Sequence, residues 1–230
     1  MKKDLYTTRA QRQKNYATQS DQAYHEIRDA IMYSRLKPGE RLIETEACSV
    51  FEIGRTPFRE AIRRLQMEGY VDITPNKGAV ITGVSIRDIE EIYNIVAVLE
   101  GYAAETAALN TTEEDIKKLK SFHEQLIVAG QQKNHRDWLE KNSLFHAYIP
   151  KVADNLHLSK MISSLRDKIY RYRYIAITIP GHIQEYIASH QDILEAISKR
   201  EPIKAGEAMR RHVFFVRDVL VDFLTKSPIF

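Results

Sequence analysis

The sequence contains very little cysteine and no long apolar run. Cys48 is the single cysteine among 230 residues, so no disulfide can form within the chain. The first 20 residues lack the apolar segment of a secretion signal, and no stretch approaches the roughly 18 apolar residues of a membrane-spanning helix. Internal repeats and low-complexity tracts are also missing. These absences argue against the disulfide-rich secreted and membrane-spanning classes, and we expect a cytoplasmic protein without a membrane partner.

The charge is unevenly distributed, although the formal net charge is only +3. Residues 1–85 hold 14 Lys and Arg against 11 Asp and Glu, whereas residues 86–230 hold 20 of each. All of the excess positive charge therefore lies in the first third of the chain. This bias indicates that the N-terminal part contacts a polyanion while the remainder has another role.

The first 85 residues carry the pattern of three helices followed by a β-hairpin. Residues 1–19 are polar and predict a flexible arm. Helices are predicted over residues 20–33, 44–51 and about 54–67, and Pro57 fits only the first turn of the third helix. Two β-capable runs, residues 70–75 and 79–83, predict the hairpin. The second and third helices form a helix-turn-helix, and the hairpin adds a wing.

The remaining residues show almost no strand signal. Ser85 begins a capping box ahead of apolar positions spaced by three and four, and Thr111 or Thr112 caps the next helix, which runs to about residue 129. Further helices are predicted over residues 137–152, 156–177, 183–199 and 202–224, with Pro202 at a first helical position. The predicted fold is mainly α, with a winged helix-turn-helix over residues 20–84 and an all-helical bundle over residues 85–226.

Four segments give the N-terminal pattern a specific resemblance. They are Pro38-Gly39-Glu40-Arg41-Leu42, Arg55-Thr56-Pro57-Phe58-Arg59-Glu60-Ala61, Glu68-Gly69-Tyr70 and Lys77-Gly78. Over about 50 residues, this pattern resembles the DNA-binding domain of GntR-type bacterial transcription regulators. The resemblance implies two sets of DNA-binding residues, the recognition set Arg55, Thr56, Pro57 and Arg59 and the wing set Lys77 and Gly78. Gly54 stands in place of the family's usual serine, which removes a capping hydroxyl.

Elementary geometry agrees with that assignment. Arg55 and Arg59 are four residues apart and therefore share one face at the start of the third helix, where the helix dipole favours phosphate. An arginine fork also suits guanine O6 and N7 in the major groove. The alternative is that the arginine face is merely solvated and that the winged helix serves as a dimer or protein-binding module. Arg63 and Arg64, in mid-helix, are predicted to be solvated or salt-bridged.

Three of the eight histidines lie on separate predicted helices among apolar neighbours. They are His146, His190 and His212, and Asn142 precedes His146 by four residues on the same helix face. The spacing alone fits either an inward-facing metal site or a satisfied polar cluster in the core. The other five are predicted at the surface or at helix caps: His25, His123, His135, His157 and His182.

Residues 85–225 resemble the ligand-binding, FCD-type domain of the FadR branch of GntR regulators. The resemblance implies that Asn142, His146, His190 and His212 bind one divalent metal, zinc or nickel ahead of manganese or iron. It also implies a carboxylate effector at that metal. Asn142 replaces the common aspartate and leaves the charge of the ion uncompensated. Residues 95–98 are apolar where an effector-binding arginine often lies, so Arg171 or Arg173 is predicted to bind the effector.

The sequence therefore predicts a homodimeric transcription regulator and not an enzyme. It would bind palindromic operator DNA, with an affinity controlled by a small organic acid at the metal site. Dimerisation follows from the half-site geometry of such operators. Two alternatives remain open, namely a metalloenzyme that uses the three-histidine site and a regulator with a purely structural metal and no effector.

Overall fold

The computed structural model describes residues 16–33, 35–74, 78–83 and 85–226. Lys77 and most of the predicted N-terminal arm lie outside these residues. The chain divides into two compact units whose boundary in the sequence lies between residues 84 and 85. No helix in the described part of the chain combines the length and apolar character needed to cross a membrane.

In its described residues, the N-terminal unit contains three helices and a small sheet. The elements are α1 (Gln19–Met32), β1 (Arg41–Leu42), α2 (Glu44–Phe51), α3 (Arg55–Met67), β2 (Val71–Thr74) and β3 (Gly78–Ile81). The sheet is antiparallel with the order β1-β3-β2, and Val71 pairs with Ile81 while Leu42 pairs with Ala79. The two-residue strand β1 was not predicted, because so short a strand shows no alternation of its own.

Local chemistry accounts for the bounds of α3. Gly54 is its N-cap and makes no side-chain cap bond, as the missing hydroxyl predicts. Pro57 lies in the first turn, where the backbone N–H groups have no intrahelical partner. Gly69 follows the helix with φ +78°, a left-handed conformation that glycine adopts without strain. The buried face of α3 consists of Phe58, Ala61, Ile62 and Leu65.

The C-terminal unit consists of seven helices in its described part. They are α4 (Ile86–Asn110), α5 (Glu113–Gln131), α6 (His135–Val152), α7 (Leu156–Lys168), α8 (Tyr170–Thr178), α9 (Ile183–Ser198) and α10 (Pro202–Lys226). A capping box at Ser85 begins α4, as predicted. Thr112, one of the two predicted caps, begins α5 and also forms a capping box. The single helix predicted over residues 156–177 is wrong, because the chain breaks at Ile169 into α7 and α8.

The longest helices, α4 and α10, make the most extensive helix–helix contact in the unit. Glycine permits this close approach. A Cβ atom at Gly206 would lie 2.2 Å from Glu105 Oε1, and one at Gly101 would lie 2.8 Å from Arg210 Cγ. Glu105 and Arg210 form an ion pair across the same contact at 2.9 Å. The buried sides of α4, α6, α9 and α10 supply the residues of the histidine site described below.

Candidate nucleic-acid interface and metal centre

The predicted recognition residues lie together on the first turns of α3. The side chains of Arg55 and Arg59 are 71% and 63% exposed, and Thr56 is exposed beside them. Pro57 is partly buried and shapes the turn. Two adjacent guanidinium groups on an exposed helix start can reach either base edges or phosphates.

A carboxylate on α2 contacts both arginines. Arg59 donates from Nε to Glu44 Oε2 at 2.9 Å and from Nη2 to Oε1 at 3.1 Å. Arg55 Nε lies 3.9 Å from Glu44 Oε1. The hydrogen bond from Arg59 lowers the pKa of Glu44, which is therefore ionised at neutral pH. The sequence analysis did not include Glu44 in the site.

A groove of about 350 Å³ runs beside this arginine pair, between α3 and the small sheet. Arg41 on β1, Arg59 and Arg63 on α3, and Gly78 on β3 line it. Gly78 has φ +75°, and a Cβ atom there would lie 3.9 Å from Arg41 Nε. Arg41 was missed because its placement depends on β1. Arg63 is exposed, in agreement with the prediction of a solvated side chain, and it lines this groove.

The three predicted metal-binding histidines come together inside the C-terminal unit. His146 lies on α6, His190 on α9 and His212 on α10, and their exposures are 2%, 0% and 4%. The ligand atoms of the three side chains lie within 4.8 Å of one another. Asn142 Oδ1 joins them at 2.8 Å from His190 Nε2.

Hydrogen bonds on the outer side of each ring fix the tautomers. His190 Nδ1 lies 2.6 Å from the carbonyl oxygen of Tyr186, which can only accept, so this nitrogen carries the proton. Ser189 Oγ donates to the same carbonyl and therefore accepts from His212 Nδ1 at 2.7 Å. His146 Nδ1 lies 2.7 Å from a carboxylate oxygen of Glu100 and donates to it. All three Nε2 atoms therefore present lone pairs to the centre of the cluster.

The protonation states agree with this geometry. Burial lowers the pKa of His190 to about 3 and holds the pKa values of His146 and His212 well below the ordinary value. The rings are therefore neutral at pH 7. His146 Nε2 and His190 Nε2 then face each other at 3.2 Å as two acceptors, with Asn142 Oδ1 as a third.

This donor set fits a divalent cation. Acceptors that face one another without a hydrogen between them are satisfied by a positive ion at their centre, and neutral imidazole is a favoured ligand for such ions. The distance of 3.2 Å between two Nε2 atoms suits neighbouring ligands of one ion, each about 2.1 Å from it. The outer hydrogen bonds are those that orient imidazole ligands in metalloproteins.

Two charged residues next to the cluster were missed by sequence reasoning. Glu100 on α4 is 1% exposed, accepts from His146 and forms an ion pair with Arg166 on α7. Glu100 and His146 are 46 residues apart, and Glu100 and Arg166 are 66 apart. Sequence spacing indicates which residues share a face of one helix, but it does not indicate contacts between residues on different helices. His123 was also placed wrongly, since it is buried and its Nε2 lies 3.1 Å from the carbonyl oxygen of Ile187.

A small cavity adjoins the histidine cluster and is rich in hydrogen-bond donors. Asn142, His146 and His212 line it together with Arg166, Arg173, Tyr93 and Trp138. Tyr93 Oη and Trp138 Nε1 are buried and have no hydrogen-bond partner within the described ranges. The volume is about 30 Å³, and about 10–15 Å³ in this measure accommodates one water molecule. The cavity thus has room for one carboxylate-sized group.

Of the two arginines predicted to bind an effector, Arg173 lines this cavity. It is 5% exposed, and its Nη2 lies 3.5 Å from Ser143 Oγ. Burial and the charge of Arg166 lower the pKa of Arg173 to about 9, so the guanidinium remains charged at neutral pH. Arg171 is buried elsewhere and donates to the hydroxyl of Tyr172.

Comparisons with known proteins place both units. Residues 19–81 match the family described as "Bacterial regulatory proteins, gntR family", and residues 91–214 match the FCD domain. The uncharacterized HTH-type transcriptional regulator YdhC of Bacillus subtilis (strain 168) is 28% identical over 193 residues, 84% of each chain. The HTH-type transcriptional repressor RspR of Escherichia coli (strain K12) is 27% identical over 194 residues, 84% of this chain and 85% of that protein.

A solved structure has the same fold. The Escherichia coli protein McbR/YncC matches with a TM-score of 0.74 and 22% identity, covering 91% of this chain and 100% of that one. A winged helix-turn-helix followed by a helical domain is the architecture of a class of two-domain DNA-binding regulators. The chain belongs to the GntR family of bacterial regulatory proteins, and its second domain is an FCD domain. Its relatives are named as transcriptional regulators and not as enzymes, and the chain is a transcription regulator of this family.

Proposed function

We propose that this regulator binds a palindromic operator as a homodimer and that a small organic acid controls its operator affinity. Residues 20–84 bind DNA, and residues 85–226 bind the metal and the acid and form the dimer. A two-fold symmetric protein matches the two half-sites of a palindrome, which is the reason for proposing a dimer. The regulator works in the bacterial cytoplasm, where its DNA is.

The DNA contacts proposed are those of Arg55, Thr56, Pro57 and Arg59 on α3 and of Lys77 and Gly78 in the wing. The exposed arginine pair and the adjoining groove support this assignment. Arg41 belongs to the same surface because it lines that groove beside Gly78. Guanidinium groups suit both guanine edges and phosphates, so the surface can combine sequence reading with backbone attachment.

The metal proposed in the FCD domain is held by Asn142, His146, His190 and His212. The observation that carries this proposal is the convergence of three Nε2 lone pairs whose rings are oriented by outer hydrogen bonds. Three imidazoles and an amide oxygen are all neutral, so a divalent ion there keeps its full positive charge for an anionic ligand. Zinc or nickel suits this donor set ahead of manganese or iron.

The organic acid is proposed to lie in the cavity beside this metal. Arg173 supplies a second positive charge, and the unpartnered hydroxyl of Tyr93 and indole N–H of Trp138 supply donors. Buried donors without partners are costly, and carboxylate oxygens satisfy them. An acid with one carboxylate in this cavity therefore replaces several unsatisfied groups with charge-assisted hydrogen bonds.

The metal is tested by elemental analysis of the purified full chain. Alanine at His190 and His212 together should abolish bound metal and lower the thermal midpoint, since an ion that binds only the native state stabilises it. His157→Ala, at an exposed histidine on α7, should leave both quantities unchanged. Full occupancy in the double variant would show that the cluster is only a polar core.

Effector and operator are tested together. Duplexes enriched from a randomised library by the protein supply the operator, and binding is then measured with a panel of short carboxylic acids. The proposal is supported if one of the acids changes the operator affinity of the wild type and changes that of the Arg173→Gln variant less. Operator binding that no acid alters, in a protein with bound metal, would instead establish the purely structural metal.

A further inference from the structure

Glu44 holds an unusual position, since it places a negative charge within the arginine pair proposed to contact a polyanion. We propose that Glu44 is a specificity-determining residue, which orients Arg59 toward a guanine and weakens binding to DNA of other sequence. This inference rests on the proposed DNA contacts of α3 and goes beyond them.

The orientation follows from which N–H groups Glu44 occupies. A guanidinium has five N–H donors, one on Nε and two on each Nη. Glu44 accepts from Nε and from Nη2, at 2.9 and 3.1 Å, and so engages the inner side of the fork. Both hydrogens of Nη1 and the second hydrogen of Nη2 remain, and they lie at the outer end of the side chain. This outer end presents the two parallel donors that guanine O6 and N7 accept.

The second part of the inference follows from charge. Glu44 forms ion pairs with both Arg59 and Arg55, so one negative charge offsets part of two positive ones. Attraction to phosphates does not depend on sequence and provides most of non-specific binding. A carboxylate at this position weakens that attraction, whereas the guanine contact of a pre-oriented arginine is kept. The difference in binding affinity between the operator sequence and other DNA sequences therefore increases.

The alternative is a purely structural role, in which Glu44 only stabilises the packing of α2 against α3. That role predicts lower stability on substitution without any change in the bases selected. The two roles are distinguishable by base preference and salt dependence. Substitution of Glu44 changes both if the proposal is right and neither if Glu44 only stabilises the packing of the two helices.

The experiment begins with the full-length wild-type protein and a randomised duplex library, and the enriched sequence becomes the specific probe. A scrambled duplex of the same composition is the non-specific probe. Dissociation constants for both are measured across a series of salt concentrations for Glu44→Gln, Glu44→Asp and Arg59→Ala. Glu46→Gln is the matched control, since it removes an exposed carboxylate from the same helix. Circular dichroism and thermal midpoints confirm that each variant is folded.

Glu44→Gln should bind the scrambled duplex more tightly and with a salt slope steeper by about one, the value expected for one additional phosphate contact. Its specificity ratio should fall by roughly tenfold, within the range for loss of one bidentate base contact. The relaxed base position should be the same guanine that Arg59→Ala relaxes. Glu44→Asp keeps the charge but has a shorter reach, so it should relax that guanine without altering the salt slope.

Two results overturn the inference, and two others overturn the DNA contacts on which it rests. A specificity ratio and base preference in Glu44→Gln equal to those of the wild type would assign Glu44 a structural role. Relaxation in Glu46→Gln as large as in Glu44→Gln would show a general charge effect. A wild-type protein that enriches no sequence would instead refute the proposed DNA-binding function itself. An Arg59→Ala variant with unchanged operator affinity would refute the proposed DNA contact of Arg59.

Discussion

Asn142 is the one oxygen ligand in the proposed metal site, and it is neutral. Asn142→Asp would add a negative charge 2.8 Å from His190 Nε2, the distance of the present amide oxygen. We expect this variant to bind the divalent ion more tightly and an anionic acid more weakly, because the net positive charge at the site falls. Chelator competition measures the first effect, and calorimetry with the acid measures the second.

Asn155→Asp is the control for this substitution. Asn155 is an exposed N-cap of α7, and aspartate caps a helix as well as asparagine does. This control should leave both affinities unchanged. If Asn142→Asp binds the acid as tightly as the wild type, the acid is held by Arg173 and not by the metal.

Glu100 orients the ring of His146 through a hydrogen bond. We therefore expect Glu100 to affect metal affinity although it is not itself a proposed ligand. Glu100→Gln keeps the shape and one acceptor oxygen but removes the charge that favours the Nδ1–H tautomer. We expect metal affinity to fall by about 10- to 100-fold, the usual result of removing a partner of a histidine ligand. Glu105→Gln on the same helix changes a partly exposed carboxylate and should leave metal affinity unchanged.

The stability of the metal-free protein distinguishes two effects of Glu100→Gln, the loss of the His146 hydrogen bond and the loss of the ion pair with Arg166. The substitution also leaves the charge of Arg166 uncompensated, and this lowers stability whether or not a metal binds. A variant whose metal-free thermal midpoint falls while its metal affinity stays at the wild-type value would show that Glu100 serves Arg166 alone.

Some residues of the candidate metal site could be predicted from the sequence and others could not, depending on their spacing along the chain. Asn142 and His146 are one helical turn apart, and the resemblance linked them to His190 and His212. Glu100 and Arg166 had no such signal, since each meets its partner across a helix–helix contact. Arg173 and Arg171 carried equal weight in the sequence, and only the packing of α8 distinguishes them.

At the scale of single elements, the start of α5 makes a prediction about pH. Asp115 accepts hydrogen bonds from Thr112 and from the hydroxyl of Tyr148, which lower its pKa. A carboxyl whose pKa is lowered in the folded state contributes stability above its unfolded pKa, and that contribution disappears as the pH falls through the folded value.

Asp115→Asn should therefore lower the free energy of unfolding at pH 7 by roughly 1 kcal/mol, the scale of a lost helix cap. The difference from the wild type should shrink below about pH 4, near the ordinary carboxyl pKa. Denaturant unfolding at several pH values measures it, with Glu114→Gln in the same helical turn as the control. A difference independent of pH would mean that Asp115 acts only through its shape.

Elements with strong end signals were predictable, and those without them were not. Helix starts were marked by the capping box at Ser85, a threonine cap, Pro57 and Pro202, and the structure confirms them. The break at Ile169 has no such mark, since residues 156–178 contain neither proline nor glycine. Ile169 is 1% exposed, and tertiary packing decides its conformation. The strand β1 likewise exists only through its pairing with β3.

At the scale of the whole molecule, the proposed regulation is a coupling between two binding equilibria, those of the operator and of the acid. If the acid changes operator affinity by some factor, the operator must change acid affinity by the same factor. We expect calorimetry of the acid with and without saturating operator to reproduce the factor found in DNA titrations. Unequal factors would show that the acid acts through another process, such as a change in assembly.

The burial of the histidine cluster also bears on how the regulator would obtain the proposed metal. The rings of His146, His190 and His212 are almost fully shielded from solvent, so an ion held between them exchanges only when the helices separate locally. The release rate of the proposed ion would then depend on how often that opening occurs. An ion captured as the chain folds would therefore exchange slowly. The supply of metals in the cell at the time of synthesis would then influence which ion each molecule carries.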